Sequence, residues 1–176
     1  TMPDRAWGNP KDIALLPDGN LLVCDTHYGR VLKMSPAGKR LAQWGGTGPE
    51  PGNFQGPLGC AVDARAGVVY IADYALSDYG GRVLKFSLAG RFLKSWGQFG
   101  EQPGEFRRPS GAAVAPDGTV YVADAVNHRI QQFDAEGRLL NRFGRFGDAP
   151  GDLRYPYDLA CDAAGRVYVV EFDGHR

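Results

Sequence analysis

The strongest constraint on this chain is a unit that it writes out more than three times. The clearest copy runs from Val120 to Phe133: an apolar-alternating run ending in Asp124, a tight polar turn, Arg129, then a second alternating run. Leu21 to Met34 repeats it with Asp25 and Arg30, and Val69 to Phe86 with Asp73 and Arg82. A fourth copy starts at Val167 and carries Glu171 and Arg176. Each unit opens on a proline, Pro10, Pro57, Pro109 and Pro156, so the spacings are 47, 52 and 47 residues. A period of this length points to a repeat architecture before any single motif is considered.

Within a unit, four short runs alternate apolar and polar residues, separated by turn formers such as Pro17-Asp-Gly19, Pro36-Ala-Gly38 and Pro116-Asp-Gly118. Period-two alternation bounded by Pro, Asp and Gly predicts strands joined by hairpins, four to a unit. A single four-stranded meander cannot bury both of its faces, whereas such sheets stacked around an axis can. The expected fold is therefore all-β, a β-propeller of four-stranded antiparallel blades in one segment over 1–176. Its units are 10–56, 57–108, 109–155 and 156–176, the last holding half a blade. Ala14, Ala61, Ala113 and Ala160 stand fourth after their prolines, a column of small side chains that predicts the innermost strand, where blades converge. Phe54, Phe106 and Leu153, three residues before the prolines, are predicted plugs between adjacent blades, and Trp7 holds the same place at the start. Three and a half blades do not close a ring. The remaining blades of a longer parent chain, or a second chain, are expected to cover the open blade faces.

With a formal net charge of zero and a pI near 6.8, the chain has no bulk attraction for a polyanion. No apolar run approaches the eighteen or so residues that span a bilayer. Cys24, Cys60 and Cys161 lack any CxxC or metal-ligand spacing and fall inside apolar runs, so they are expected to be buried free thiols.

The opening Pro, the Asp-x-x-Gly-type turn, the Val-x-Val-Ala-Asp strand end, Asn-x-Arg, the aromatic-Gly that ends the fourth strand, and the Pro-Gly-x-Phe/Leu loop together resemble the NHL-repeat family. Unit three carries nearly the whole pattern, and the resemblance extends over essentially the full chain. It implies a six-bladed parent propeller. The Trp-Asp strand end of WD repeats is missing, and Gly45-Gly46 and Gly80-Gly81 do not recur in the one register that kelch repeats require.

The recurrent acid and arginine are the most conspicuous charges. Asp25 with Arg30, Asp73 with Arg82, Asp124 with Arg129 and Glu171 with Arg176 each flank a hairpin, which predicts structural ion pairs, since a catalytic pair needs no copy in every blade. Candidate ligand contacts lie on the face formed by the second-to-third hairpins and the blade-to-blade loops. They are His27, Asn127 and His128, with Asp12 and Asp158 at the mouth, and Tyr74, Asp78 and Tyr79 in a hairpin four residues longer than its counterparts.

His27, His128 and His175 are conceivable metal ligands across a channel, but ordinary turn residues are the better reading; no metal, cofactor or catalytic residue is assigned. NHL-like lyases that release amidated peptides place a zinc-binding His directly after the opening proline, where this chain has Lys11, Leu58, Ser110 and Tyr157. Tripartite-motif NHL propellers bind RNA on a basic face, whereas acids and bases roughly cancel in the loops here, so nucleic acid is not the expected partner. The reading is a non-catalytic module binding a protein, peptide or small polar ligand. The alternatives are a metal-assisted lyase or hydrolase at the channel mouth and, behind it, RNA binding.

Overall fold

Pro, Asp and Gly interrupt the alternating runs at every expected turn, and the chain accordingly folds as strands. The computed structural model describes residues 8–48, 50–74 and 81–174. Blade 1 comprises β1 (Pro10–Leu15), β2 (Leu21–Asp25), β3 (Arg30–Met34) and β4 (Arg40–Trp44). Blade 2 comprises β5 (Pro57–Asp63), β6 (Val68–Asp73), β7 (Arg82–Ser87) and β8 (Phe92–Trp96). Blade 3 comprises β9 (Pro109–Val114), β10 (Val120–Asp124), β11 (Arg129–Phe133) and β12 (Leu139–Phe143), and β13 (Pro156–Cys161) and β14 (Val167–Glu171) follow as a two-stranded sheet. Every sheet is an antiparallel meander in sequence order, the arrangement of a partial propeller. No described helix is long and apolar enough to cross a membrane.

The register repeats with the sequence. Each opening proline pairs with the acid of its blade, Pro10 with Asp25, Pro57 with Asp73, Pro109 with Asp124 and Pro156 with Glu171, and the ladder slips just after it. Proline has no N–H to give the ladder, so it suits the first residue of a strand beside such a slip.

The first strands β1, β5, β9 and β13 pack side by side and form the hub. Their approach is close: a Cβ on Gly59 would stand 2.2 Å from the Ser110 carbonyl oxygen, and one on Gly111 2.7 Å from Cα of Asp158. The alanine column faces the following blade, Ala14 against the first interblade core, Ala61 in the second and Ala113 in the third. Ala160 is exposed.

Three apolar layers hold the blades together. Leu22, Cys24, Val31 and Trp44 of blade 1 meet Cys60, Val69, Ile71, Leu84 and Phe86 of blade 2. Tyr70, Ala72 and Val83 of blade 2 meet Val120, Val122 and Phe133 of blade 3, while Ala123 and Ile130 meet Leu159, Val167 and Val169. Phe54 and Phe106 are fully buried in these layers, and Leu153 nearly so. Each plug closes on the glycine that ends a fourth strand. Gly45, Gly97 and Gly144 have φ of +80°, +90° and +91°, and a Cβ there would fall 2.3, 2.5 and 2.5 Å from Phe54, Phe106 and Leu153. The aromatic-Gly motif is thus both a left-handed turn and a floor for the plug. Trp7 lies outside the described residues.

One expectation needs correction. Cys24 and Cys60 are buried thiols, but Cys161 is only half-buried, because it borders the third apolar layer from the last inner strand rather than lying between two full sheets. Ile13 and Leu15 on β1, and Tyr168 and Val170 on β14, leave apolar side chains largely exposed on the two outermost sheets.

Candidate functional site

The second-to-third hairpins and the blade-to-blade loops emerge on one face, and the charged residue pairs fix both. Each acid accepts the backbone N–H found two residues before its opening proline: Gly8 to Asp25 at 2.7 Å, Gln55 to Asp73 at 2.9 Å, Arg107 to Asp124 at 2.7 Å and Arg154 to Glu171 at 2.5 Å. The second oxygen receives an arginine. Arg30 Nε lies 2.7 Å from Asp25, Arg82 Nε 3.2 Å from Asp73 and Arg129 Nε 2.7 Å from Asp124. Arg82 also donates to the Asn53 carbonyl, and Arg129 to those of Glu101, Gln102 and Glu105. The pair therefore clamps the incoming loop to the hairpin as well as bridging the hairpin itself. Arg176 and His175 lie outside the described residues.

Burial sets the energetics of these acids. It pushes the Asp124 carboxyl above the ordinary range, against the pull of Asn127, the Arg107 N–H and Arg129, and it does the same to Asp73. In blade 3 two amides complete the clamp. Asn127 donates to Asp124 and to the Gly100 carbonyl, and the fully buried Gln131 bridges Asp124, the Glu105 carbonyl and the Gly104 N–H. Asn127, a candidate ligand contact by sequence, is thereby engaged in holding its loop. Gln131 escaped the sequence reading because Leu32 and Leu84 hold the equivalent strand position.

At the mouth, Asp12 and Asp158 line one small cavity of about 30 Å³ with Lys11, Leu58, Ser110 and Tyr157. Asp12 accepts its own neighbour Ile13 N–H and, across the blade gap, Cys60 N–H at 2.6 Å. Asp158 accepts Leu159 N–H, and burial, reinforced by the charge of Asp12, pushes its carboxyl up.

Outward from the mouth lies a run of rings and cations. Tyr74 sits beneath the Arg108 guanidinium, 5.5 Å from ring centroid to Cζ, and the Tyr155 side chain lies beside Arg108, raising its pKa. Tyr155 packs on His128 and Phe172, and Phe172 on Tyr157. His128 packs on Phe146, which lies under Arg154. His128 occupies a left-handed position in its hairpin, and its Nδ1 accepts the Tyr155 N–H at 3.0 Å. His27 is exposed on blade 1, its N–H bound to the Gly8 carbonyl. Asp78 and Tyr79 lie outside the described residues.

Sequence reasoning singled out Tyr74 and His128 but not the residues that join them. Arg108 and Tyr155 precede opening prolines, where the four units carry Asn9, Gly56, Arg108 and Tyr155. Variation at a position flanked by repeating residues was the available signal. Among the described residues, no three of His, Cys, Asp and Glu converge so as to hold a metal ion.

The opposite face has a larger cavity, about 590 Å³, between the first turns of blades 2 and 3 and the equivalent turn after β13. Its carboxylates are occupied locally: Asp63 caps the N–H groups of Arg65 and Ala66, Asp117 that of Thr119, and Asp162 those of Ala164 and Arg166. It offers turn backbone rather than free side-chain chemistry.

The decisive observation comes from residues 106–133, which match the NHL repeat. The chain is a β-propeller segment that carries an NHL repeat. The match begins at the plug Phe106, takes in the clamp of blade 3, and ends at Phe133. Solved structures share the architecture at low identity. A nidogen/laminin complex superposes with a TM-score of 0.75 and 19% identity over 98% of this chain and 59% of that one. The virginiamycin B lyase of Staphylococcus aureus gives 0.68 and 14%, over 97% and 51%. A gluconolactonase of Xanthomonas campestris gives 0.66 and 15%, over 94% and 55%. This propeller segment thus spans about half the length of the structures it matches.

Proposed function

We propose that the segment is a non-catalytic binding module whose hairpin and interblade loops take a protein or peptide ligand, in a parent ring of six blades. The observation carrying this reading is the run of exposed rings on this face, Tyr157 at the start of β13 packed on Phe172, and Phe146 joined to them through His128 and Tyr155. Exposed rings on a prepared backbone suit recognition, because little conformational freedom remains to be lost on binding. That one similar structure is a complex between two proteins, nidogen and laminin, supports the same reading.

The test is a random octapeptide array probed with the wild-type chain and with a Tyr157→Ala/Phe172→Ala variant. A defined set of binding peptides, lost in the variant while its melting temperature holds, is expected. Stoichiometric zinc or calcium binding that vanishes in Asp12→Asn/Asp158→Asn would instead support a metal-assisted lyase or hydrolase at the mouth.

A further inference from the structure

Four arginines stand in the loops 97–108 and 144–155, and three are matched to carboxylates of their own loop. Arg107 pairs with Glu101 at 2.8 Å, Arg145 with Asp152 at 2.8 Å, and Arg154 with Asp148. Arg108 is exposed and, among the described residues, faces no carboxylate; the Tyr74 ring lies under its guanidinium and the Tyr155 side chain beside it.

The backbone is bent to place it there. Arg108 has φ of +61° and Tyr155 of +54°, both immediately before a proline. A residue in that position favours extended backbone, and the left-handed region is strained for a non-glycine residue. These bends lie at consecutive blade junctions and carry a guanidinium and a phenol, with a second ring, Tyr74, from the blade 2 hairpin beneath the guanidinium.

We infer that Arg108, Tyr155 and Tyr74 form a receptor for a single carboxylate, the anchor by which a peptide ligand docks on this face. Guanidinium presents five N–H donors in a planar fork that matches a carboxylate two-to-two. Tyr155, beside the guanidinium, offers a phenolic O–H that can donate to the same ligand. Tyr74 shields one face of the guanidinium and leaves its edge open. The mouth nearby holds Asp12 and Asp158, whose carboxylates oppose a highly charged anion, and the chain as a whole has a formal net charge of zero, so one compact monoanion is favoured over a phosphate chain. The inference deepens the binding-module reading by naming the chemistry of the ligand.

The probes are N-acetylglycine, for a chain-terminal carboxylate, N-acetylglutamate α-amide, for a side-chain carboxylate, and N-acetylglutamine amide and inorganic phosphate as comparators. They are titrated into the chain while the Arg108 Nε–H resonance is followed. At least one carboxylate is expected to shift it saturably, tenfold more weakly in Arg108→Gln and severalfold more weakly in Tyr155→Phe; whichever of the two binds tighter identifies the source. Arg108 is exposed, so both variants are expected to fold, and a thermal melt checks this. Equal response to the glutamine amide, tighter binding of phosphate, or undiminished binding by Arg108→Gln would overturn the inference. Array peptides binding this face without regard to carboxylates would sink the inference and leave the module reading standing. Carboxylate binding without any array peptide would do the reverse.

Discussion

Replacing Arg129 by alanine tests whether the clamp holds the blades' loops. Its side chain is 7% exposed, and Asp124 is wholly buried, so the variant leaves a carboxylate among three neutral donors with no cation. Removing one partner of a buried ion pair costs about 3–5 kcal/mol. The carbonyls of Glu101, Gln102 and Glu105, also released, lie in an exposed loop where water can replace the arginine, so the lower end of that range applies. For a chain of this size, roughly 3 kcal/mol corresponds to a melting temperature lower by about 6–12 °C.

Proton linkage sharpens the test. Burial already pushes the Asp124 carboxyl up, and losing Arg129 pushes it further. A carboxyl whose folded pKa exceeds its unfolded value contributes stability that is fully present below the unfolded value, about 3.9, and lost as pH rises through the folded one. The deficit of Arg129→Ala is therefore larger at pH 7 than at pH 4.5 in urea titrations. Asp124→Asn leaves Arg129 buried without its carboxylate and turns an amide N–H toward groups that donate, so a loss of similar size is expected, with the double variant less unstable than the two losses added. A deficit below about 0.5 kcal/mol, the size of an ordinary surface substitution, or one indifferent to pH, would refute the reasoning.

Phe106→Ala empties a fully buried plug between blades 2 and 3 and is expected to destabilise by about 3–5 kcal/mol in denaturant melts. Gly59→Ala forces a Cβ against the Ser110 carbonyl at the hub; overpacking of at least about 1–3 kcal/mol is expected, and an unchanged midpoint would contradict the close approach of inner strands. Burial lowers the His128 pKa while Asp173 opposes, and its neutral Nδ1 accepts the Tyr155 N–H. With the folded value below the unfolded one, stability is lost as pH falls beneath about 6.5. The advantage of wild type over His128→Phe is expected to shrink between pH 7 and pH 5, and a constant difference would show that the bond is immaterial.

The blades were legible because every constraint that makes one is repeated. Pro10 and its successors, the acid fifteen or sixteen residues on, the arginine, the alanine column and the aromatic-Gly ending each stand in register. A reading across copies averages away the accidents of any one unit. The partners of the acids were only half legible. Pairing across a hairpin follows from strand register, whereas the loop N–H groups that bind the same carboxylates lie seventeen or eighteen residues upstream, and nothing local marks them.

The proposed binding face was obscured for the opposite reason. A repeat announces what its units share, and a ligand contact is made by what one unit does not share. Asn127, which fits the repeat pattern, turns out to serve the clamp, while Arg108 stands in a column whose other members are Asn, Gly and Tyr. The same division has a physical basis. The clamp fixes the loop at the second residue before the proline, and the next residue is forced into a left-handed bend in units one, three and four. Its side chain then projects from a rigid base, free to differ. A position held tightly by its neighbours' backbone and loosely by its own side chain is where a propeller can change its ligand without disturbing its blades.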